Sequence, residues 1–278
     1  MSPEVKTVVV GYDASAESQV ALAWAASLAR WRNLPLRVVA AHELDAPETT
    51  FGQPGVLKRH KQEADAAAAE GADRVKGGDL EIEARGVLRG AADALVINSG
   101  PQDILVVGHR GRGRMRQALL GSVAVEVLQK AEARVVVVRG QPEPLPTPGL
   151  PIVVGVDGSE QSVRALDEAA SLAAAAGSPL HVIVAPKGLK NPDTAKRGGS
   201  PDELSSWTEQ HVHKSHPELE LKSISSDAGP VESLTEGASA ATMIVLGAAG
   251  QNDLRHLILG STSRAVVEKA TCPVYLVR

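Results

Sequence analysis

The chain has 278 residues, a formal net charge of −4, 43% hydrophobic residues and only 2% aromatic residues. The negative balance argues against a dedicated nucleic-acid binder, whose domains are usually basic. No run approaches the roughly 18–20 apolar residues of a membrane span. The single cysteine, Cys272, cannot form an internal disulfide, and the first residues carry no apolar signal core. These features predict a cytoplasmic protein that binds neither nucleic acid nor membranes.

Apolar runs alternate with helical patterns along the whole chain. In the first half the pattern predicts strands near 5–11, 35–42, 80–85, 103–108 and 134–139, and helices near 15–32, 57–77, 88–99 and 120–131. In the second half it predicts strands near 152–157, 180–185, 219–225, 242–247 and 273–278, and helices near 160–176, 201–215, 230–240 and 260–270. Residues 43–56 and 186–200 lack periodicity and are predicted to be long loops. Strict βαβ alternation indicates an α/β fold with parallel sheets.

The two halves repeat each other. The stretch 7–15 returns as 152–159, and the stretch 103–111 returns as 242–250. Between the halves lies a stretch with five prolines in residues 140–151, which favours extended structure. We therefore predict a tandem repeat with domains at 1–140 and 150–278, joined by a Pro-rich linker at 141–149.

A glycine spacing, Gly-x2-Gly-x9-Gly-Ser, occurs once in each half, each time after an apolar strand and before a helix. Its members are Gly108, Gly111, Gly121 and Ser122, and again Gly247, Gly250, Gly260 and Ser261. Glycine lets a ligand approach the backbone closely, and the helix N-terminus that follows attracts phosphate. The chain has neither the Walker A sequence nor the dinucleotide fingerprint. The spacing therefore predicts a different kind of phosphate site.

On these motifs both halves resemble the universal stress protein family, and the chain resembles a tandem member of its ATP-binding subgroup. The resemblance implies two Rossmann-like, doubly wound, parallel five-stranded sheets with strand order 3-2-1-4-5. It implies ATP as the ligand, which Mg²⁺ can accompany. The implied contacts with adenosine are Gly11, Asp13, Gly155 and Asp157. Those with ribose and phosphates are Gly108, Arg110, Gly111, Gly247, Ala249 and Gly250, and those that hold the phosphates are Gly121, Ser122, Val123, Gly260, Ser261 and Thr262.

Charge distinguishes the two sites. The first loop carries four arginines between His109 and Arg116, whereas the second carries Ala248 and Ala249 at the start of its loop. ATP is an anion, and charge-assisted hydrogen bonds are about twice as strong as neutral ones. We therefore expect the first site to bind ATP more tightly, by about tenfold to thirtyfold.

The leading interpretation is a nucleotide-binding stress-response module with a protein partner that the sequence does not identify. A slow ATP hydrolase or nucleotide-dependent transferase, and an interaction scaffold with vestigial sites, remain alternatives. No catalytic constellation surrounds the glycines, which argues against an efficient enzyme. The halves are expected to pair through their last strands as a pseudo-dimer, and two chains can associate further as a homodimer.

Several reactive side chains are assigned structural roles. His42 ends a strand and is interpreted as a hydrogen-bonded structural histidine. The group His211, His213 and His216 lacks the helical spacing and the carboxylate that a metal site needs, so no metal site is expected. Cys272 is expected to be buried rather than reactive.

Overall fold

The computed structural model describes residues 5–44, 54–111, 120–184, 197, 199–225, 228–248 and 259–278. The chain divides into two compact units, the first ending at Val138 and the second beginning at Arg139. None of the described helices combines the length and the apolar character that a bilayer crossing requires.

The first unit is a parallel five-stranded sheet with helices. Its strands are β1 Val8–Gly11, β2 Leu36–His42, β3 Ile82–Leu88, β4 Ile104–Gly108 and β5 Arg134–Val138. Its described helices are α1 Ala16–Arg32, α2 Pro54–Arg74, α3 Ala91–Ile97 and α4 Ser122–Lys130. The strand order is β3-β2-β1-β4-β5, and β1 pairs with β2 on one side and with β4 on the other. This is the order 3-2-1-4-5 that the family resemblance implies.

The second unit repeats this plan. Its strands are β6 Ile152–Val156, β7 Leu180–Val184, β8 Leu221–Ser225, β9 Met243–Gly247 and β10 Val274–Val277. Its described helices are α5 Glu160–Ala176, α6 Pro201–Ser215, α7 Pro230–Gly237 and α8 Ser261–Lys269. The strand order is β8-β7-β6-β9-β10, again 3-2-1-4-5 within the unit. The α/β tandem fold is confirmed.

A stripe of alanines lets the first helix of each unit lie close to its sheet. The alanines recur every four residues and are fully buried: Ala21, Ala25 and Ala29 in α1, and Ala165, Ala169 and Ala173 in α5. Residues four apart share one helix face, and α1 packs on β1 and β4 while α5 packs on β6 and β9. Small side chains on that face bring the helix start close to the ends of both strands.

Two element boundaries differ from the sequence expectation. Helix α2 runs over Pro54–Arg74, three residues earlier than 57–77, so it takes in the end of the segment expected to be a loop. Proline is favoured at the first position of a helix, where its missing N–H costs nothing. Strand β3 runs over Ile82–Leu88 rather than 80–85. It is an edge strand with three consecutive exposed residues, so its sequence lacks the apolar run that marks the central strands.

The proline-rich stretch packs on the second unit. The Leu145 side chain is buried, the Thr147 and Thr242 hydroxyls lie 2.6 Å apart, and the Ser178 hydroxyl donates to the Thr147 carbonyl at 3.0 Å. Immediately before this stretch, the Arg139 guanidinium donates to the Glu268 carbonyl at 2.8 Å. The stretch is therefore held by side-chain contacts as well as by the stiffness of its prolines.

Candidate functional site

Two turns meet at the carboxyl edge of the first sheet, because β1 and β4 are parallel neighbours. The turn after β1 carries Asp13, and the segment after β4 reaches Gly111. A Cβ atom at Gly111 would lie 2.7 Å from Asp13 Oδ2, so the two segments touch. Ligands of doubly wound sheets bind at this edge, where the strand order reverses. The structure thus brings two of the site residues expected from the sequence into contact.

The second unit repeats this arrangement as far as the structure describes it. Strands β6 and β9 are parallel neighbours, with Asp157 after β6 and Gly247 at the end of β9. Two expected site residues of this unit, Ala249 and Gly250, lie outside the described residues. The same is true of the first-unit stretch 112–119, which carries three of the four loop arginines.

The two aspartates organise the turns in which they lie. Asp13 Oδ1 accepts from the Ser15 backbone N–H at 3.0 Å and from the Ser15 hydroxyl at 2.5 Å. The Ser15 hydroxyl oxygen in turn accepts from the Ser18 N–H at 3.2 Å and caps α1. In the second unit, Asp157 Oδ1 accepts from the Ser159 N–H and hydroxyl in the same way. A structural role is therefore present whether or not a ligand binds.

Glycines at the strand ends are needed for packing. A Cβ atom at Gly108 would lie 3.0 Å from the Glu17 carbonyl oxygen, and one at Gly247 would lie 3.0 Å from the Gln161 carbonyl carbon. Both contacts are with the backbone in the first turn of a helix. A side chain at either position would push that helix away from the sheet, so these glycines hold the two turns close together.

The glycines within the central strands have a packing reason as well. A Cβ atom at Gly11 would lie 3.0 Å from Leu95 Cδ1, and one at Gly155 would lie 2.7 Å from Leu246 Cδ2. Both neighbours are buried side chains of the core. Packing alone accounts for a glycine at these two positions, and their expected contact with adenosine remains a prediction.

In each candidate phosphate site, a backbone hydrogen bond joins the residue before the helix to the turn after the preceding strand. The Gly121 N–H donates to the His109 carbonyl at 2.8 Å, and the Gly260 N–H donates to the Ala248 carbonyl at 2.8 Å. A Cβ atom at Gly121 would lie 3.2 Å from Arg110 Cα, so the turn after β4 rests against the start of α4. The hydrogen bond fixes where each helix begins relative to the turn after its strand.

Helices α4 and α8 present favourable N-termini for an anion. The first N–H groups of a helix have no partner within it, which here applies to Ser122 and Val123 in α4 and to Ser261 and Thr262 in α8. Neither helix has an acidic residue in its first turn. The partial positive charge of the helix end is therefore not offset by a neighbouring carboxylate in that turn.

Tyr12 anchors α2 beside the first site. Its side chain is buried, its hydroxyl donates to Glu70 Oε1 at 3.0 Å, and a Cβ atom at Gly71 would lie 2.9 Å from its ring. Burial, and then the hydrogen bond to Glu70, raise the pKa of Tyr12 above its ordinary value. The second unit has Val156 before its aspartate, so this anchor belongs to the first unit. Sequence reasoning did not single it out, because Glu70 is 58 residues away.

The histidines are arranged differently from the sequence expectation. His42 stacks on His60 with ring centroids 4.2 Å apart, and its Nδ1 lies 3.8 Å from Glu63 Oε2. That distance is too long for a hydrogen bond. His60 and Glu63 were not singled out, although their i,i+3 spacing on a helix is visible in the sequence. In the second unit, His211 Nε2 lies 2.7 Å from Asp167 Oδ1.

The turn after each aspartate requires a left-handed backbone, with φ 61° at Ala14 and φ 80° at Gly158. A Cβ atom is disfavoured in this region by about 1–2 kcal/mol. We expect Ala14→Gly to raise the free energy of unfolding by about 1 kcal/mol, and Gly158→Ala to lower it by a similar amount. Urea denaturation measures both changes. The control Ala131→Gly, at φ −71°, should lose stability. A loss in Ala14→Gly would contradict the prediction.

Burial raises the pKa of the Cys272 thiol to about 11. Only the thiolate is nucleophilic. At pH 8 the raised pKa leaves about one thousandth of the thiol ionised, against about one tenth of an unperturbed thiol, whose pKa is near 9. We expect iodoacetamide to alkylate the folded protein about 100-fold more slowly than the urea-unfolded protein at pH 8. The folded rate should rise about tenfold per pH unit up to about 11. Equal folded and unfolded rates would show that the thiol is accessible and ionised.

The comparison with known proteins identifies the family. The model of the universal stress protein family matches residues 4–139 and again residues 150–278. The chain belongs to the universal stress protein family. It is a tandem member, because the family model matches twice and the curated relatives match over nearly their whole length.

Relatives of this universal stress protein occur in mycobacteria. Universal stress protein Rv2005c of Mycobacterium tuberculosis is 30% identical over 297 residues, covering 98% of this chain and 96% of the relative. A universal stress protein of Mycolicibacterium smegmatis is 29% identical with the same coverage. The crystal structure of a universal stress protein from Archaeoglobus fulgidus matches with a TM-score of 0.73 at 18% identity, covering 99% of this chain and 97% of that one. This last likeness concerns the fold.

Proposed function

We propose that this universal stress protein binds ATP, one molecule in each domain, and acts as a nucleotide-dependent stress-response module. The observation that carries the proposal is the convergence of three segments in the first domain. Gly111 touches Asp13, and the Gly121 N–H bonds to the His109 carbonyl. The turn after β1, the turn after β4 and the start of α4 therefore form one continuous edge that a single extended ligand can span.

The electrostatics of this edge favour phosphate. Helices α4 and α8 carry no acidic residue in their first turns, whereas the neighbouring helices α1 and α5 carry Glu17 and Glu160 there. An anion at a helix N-terminus is stabilised by the free N–H groups and by the helix dipole. The hydroxyls of Ser122 and Ser261 lie at the first helical position and can donate further hydrogen bonds.

The choice of ATP among phosphate ligands rests on the glycine spacing, which is typical of the ATP-binding subgroup of the family. In this proposal Mg²⁺ accompanies the phosphates. A cytoplasmic location is part of the same proposal and is supported by the single cysteine of the chain, which fits a reducing compartment.

The test is to purify the full-length protein, extract it with acid, and identify any released nucleotide by chromatography and mass spectrometry. Calorimetry with ATP, ADP and GTP on the stripped protein then gives affinity and stoichiometry. We expect two ATP molecules per chain, recovered unhydrolysed after incubation. Steady consumption of ATP would favour a hydrolase at the same edge. Absence of nucleotide in both experiments would favour an interaction scaffold.

A further inference from the structure

Three metal-ligating side chains of the first domain converge beside β2. His42 is the last residue of that strand, and His60 and Glu63 lie one turn apart on α2. His60 Nδ1 is 3.2 Å from Glu63 Oε2, and His42 Nδ1 is 3.8 Å from the same oxygen. One ligand atom from each of the three residues lies within 4.8 Å of the other two. The strand and the helix thus present two imidazoles and a carboxylate to one point.

The donor set suits a transition-metal ion. Two histidines and one glutamate form a common three-residue zinc set, and the same ligands with open positions bind other divalent transition metals. The two imidazole rings are stacked, with an interplanar angle of 28°, and the Nδ1 atom of each lies within 3.8 Å of the same carboxylate oxygen, Glu63 Oε2. Arg59 approaches the other oxygen of Glu63, Oε1, at 3.8 Å. The arginine therefore leaves the Oε2 side of the carboxylate to the histidines.

The side chains need only small rotations to enclose an ion. Ligand atoms of a tetrahedral zinc site, with bonds of about 2.0–2.1 Å, lie about 3.3 Å from one another. The separations here reach 4.8 Å, so the cluster must contract by about 1.5 Å. His60 is buried and fixed, with 11% of its side chain exposed, whereas His42 and Glu63 are 33% and 51% exposed and have room to turn. Solvent at that face can supply the remaining ligand.

We propose that His42, His60 and Glu63 form a binding site for one divalent transition-metal ion of the zinc type in the first domain. Leu36 pairs with the first residue of β1 as Leu180 does with that of β6. Six residues after Leu36 the sequence has His42, whereas six residues after Leu180 it has Pro186. Proline has no ligating side chain. The site is therefore expected to hold one ion per chain.

The metal site uses residues separate from those of the proposed nucleotide site. His42 lies three residues beyond Val39, which is opposite Gly11 in the register of β2 and β1. Both sites are therefore at the carboxyl edge of the same sheet, on neighbouring strands. Metal binding can be tested without nucleotide, so its outcome does not depend on the proposed ATP site.

Calorimetry with ZnCl₂ tests the proposal on the full-length protein, stripped of metal by chelation and free of nucleotide. We expect a zinc site that His42→Gln and Glu63→Gln each weaken by at least about tenfold. Replacement of zinc by Co²⁺ should give the visible absorption of a low-coordinate cobalt centre, and both variants should lose it. Neither variant alters a fully buried side chain, and circular dichroism verifies that each is folded.

The matched control is His211→Gln, which removes an imidazole that faces a single carboxylate, that of Asp167. It should leave the zinc affinity and the cobalt spectrum unchanged. The proposal is overturned if the stripped protein binds no Zn²⁺. It is also overturned if His42→Gln binds Zn²⁺ as tightly as the unaltered chain, since the ion would then not need the imidazole that β2 contributes.

Discussion

Replacing Gly121 and Gly260 together by leucine is expected to lower the affinity for ATP at least about 100-fold. The Gly121 N–H closes the loop onto the His109 carbonyl, and a Cβ atom there would lie 3.2 Å from Arg110 Cα. A leucine must displace either the turn after β4 or the first turn of α4. The Gly260 N–H makes the same bond to the Ala248 carbonyl. Both changes are therefore expected to disturb the helix start that is proposed to bind phosphate.

The magnitude follows from the hydrogen bonds at stake. A hydrogen bond to a charged group contributes about 1.5–3 kcal/mol. Misdirecting two such N–H groups at each site costs about 3 kcal/mol or more, and 1.4 kcal/mol corresponds to a factor of about ten. Calorimetry on the full-length double variant measures the loss. The control Gly100→Leu adds the same side chain before the amino end of β4, at the opposite edge of the sheet, and should leave ATP affinity unchanged.

Single variants resolve the two sites. Gly260→Leu leaves the first site intact, and Gly121→Leu leaves the second. The first site is expected to bind ATP about tenfold to thirtyfold more tightly, because its loop carries four arginines between His109 and Arg116, whereas the second loop has Arg255 as the one arginine at the corresponding positions. Equal affinities would show that side-chain charge does not control binding. Undiminished affinity in a folded double variant would refute the proposed site.

The Gly86→Ala variant is expected to lose about 3 kcal/mol of unfolding free energy, which is the high end of the overpacking range. A Cβ atom there would lie 2.3 Å from the Asp65 backbone nitrogen and 2.4 Å from the Ala64 carbonyl carbon. The Gly86 N–H also donates to Asp65 Oδ1 at 3.2 Å. Backbone atoms cannot swing aside as side chains do, so α2 as a whole must move away from β3.

Urea denaturation of the full-length protein measures this loss. Gly55→Ala is the matched control, because it makes the same change at a glycine of α2 whose Cβ atom would meet nothing within 4 Å. Alanine also has a higher helix propensity than glycine, so the control should lose no stability. A loss below about 1 kcal/mol in Gly86→Ala would mean that α2 shifts freely on the sheet.

The sequence predicted the fold well where burial imposes a pattern. Central strands such as β1 and β4 are continuous apolar runs, and their ends are at the expected residues to within a few positions. Edge strand β3 was displaced by two or three residues because one side of it faces solvent and its pattern is mixed. The start of α2 was missed because no apolar periodicity marks its first turn.

The candidate site was predictable only in part. The strand order 3-2-1-4-5 implied by the family resemblance puts the turn after β1, which carries Asp13, beside the turn after β4, which carries Gly111, and in the first domain the two turns meet. The sequence did not reveal why packing requires a glycine at position 11, since its neighbour Leu95 lies 84 residues further along the chain, in α3. The meeting of His42 with His60 and Glu63 was equally hidden, because it depends on how α2 lies across β2.

The contacts of the proline-rich stretch determine where the protein can be cut into working halves. A fragment that starts at residue 150 would lack the buried side chain of Leu145 and the hydroxyl of Thr147, which lies within hydrogen-bond distance of Thr242. It would also lack Arg139, whose guanidinium donates to the Glu268 carbonyl. Gly140, with φ 73°, lies against the Thr271 carbonyl oxygen, where a Cβ atom would come within 2.7 Å. An expression fragment of the second half should therefore begin at Arg139. It then keeps the proline-rich residues that pack on the second unit.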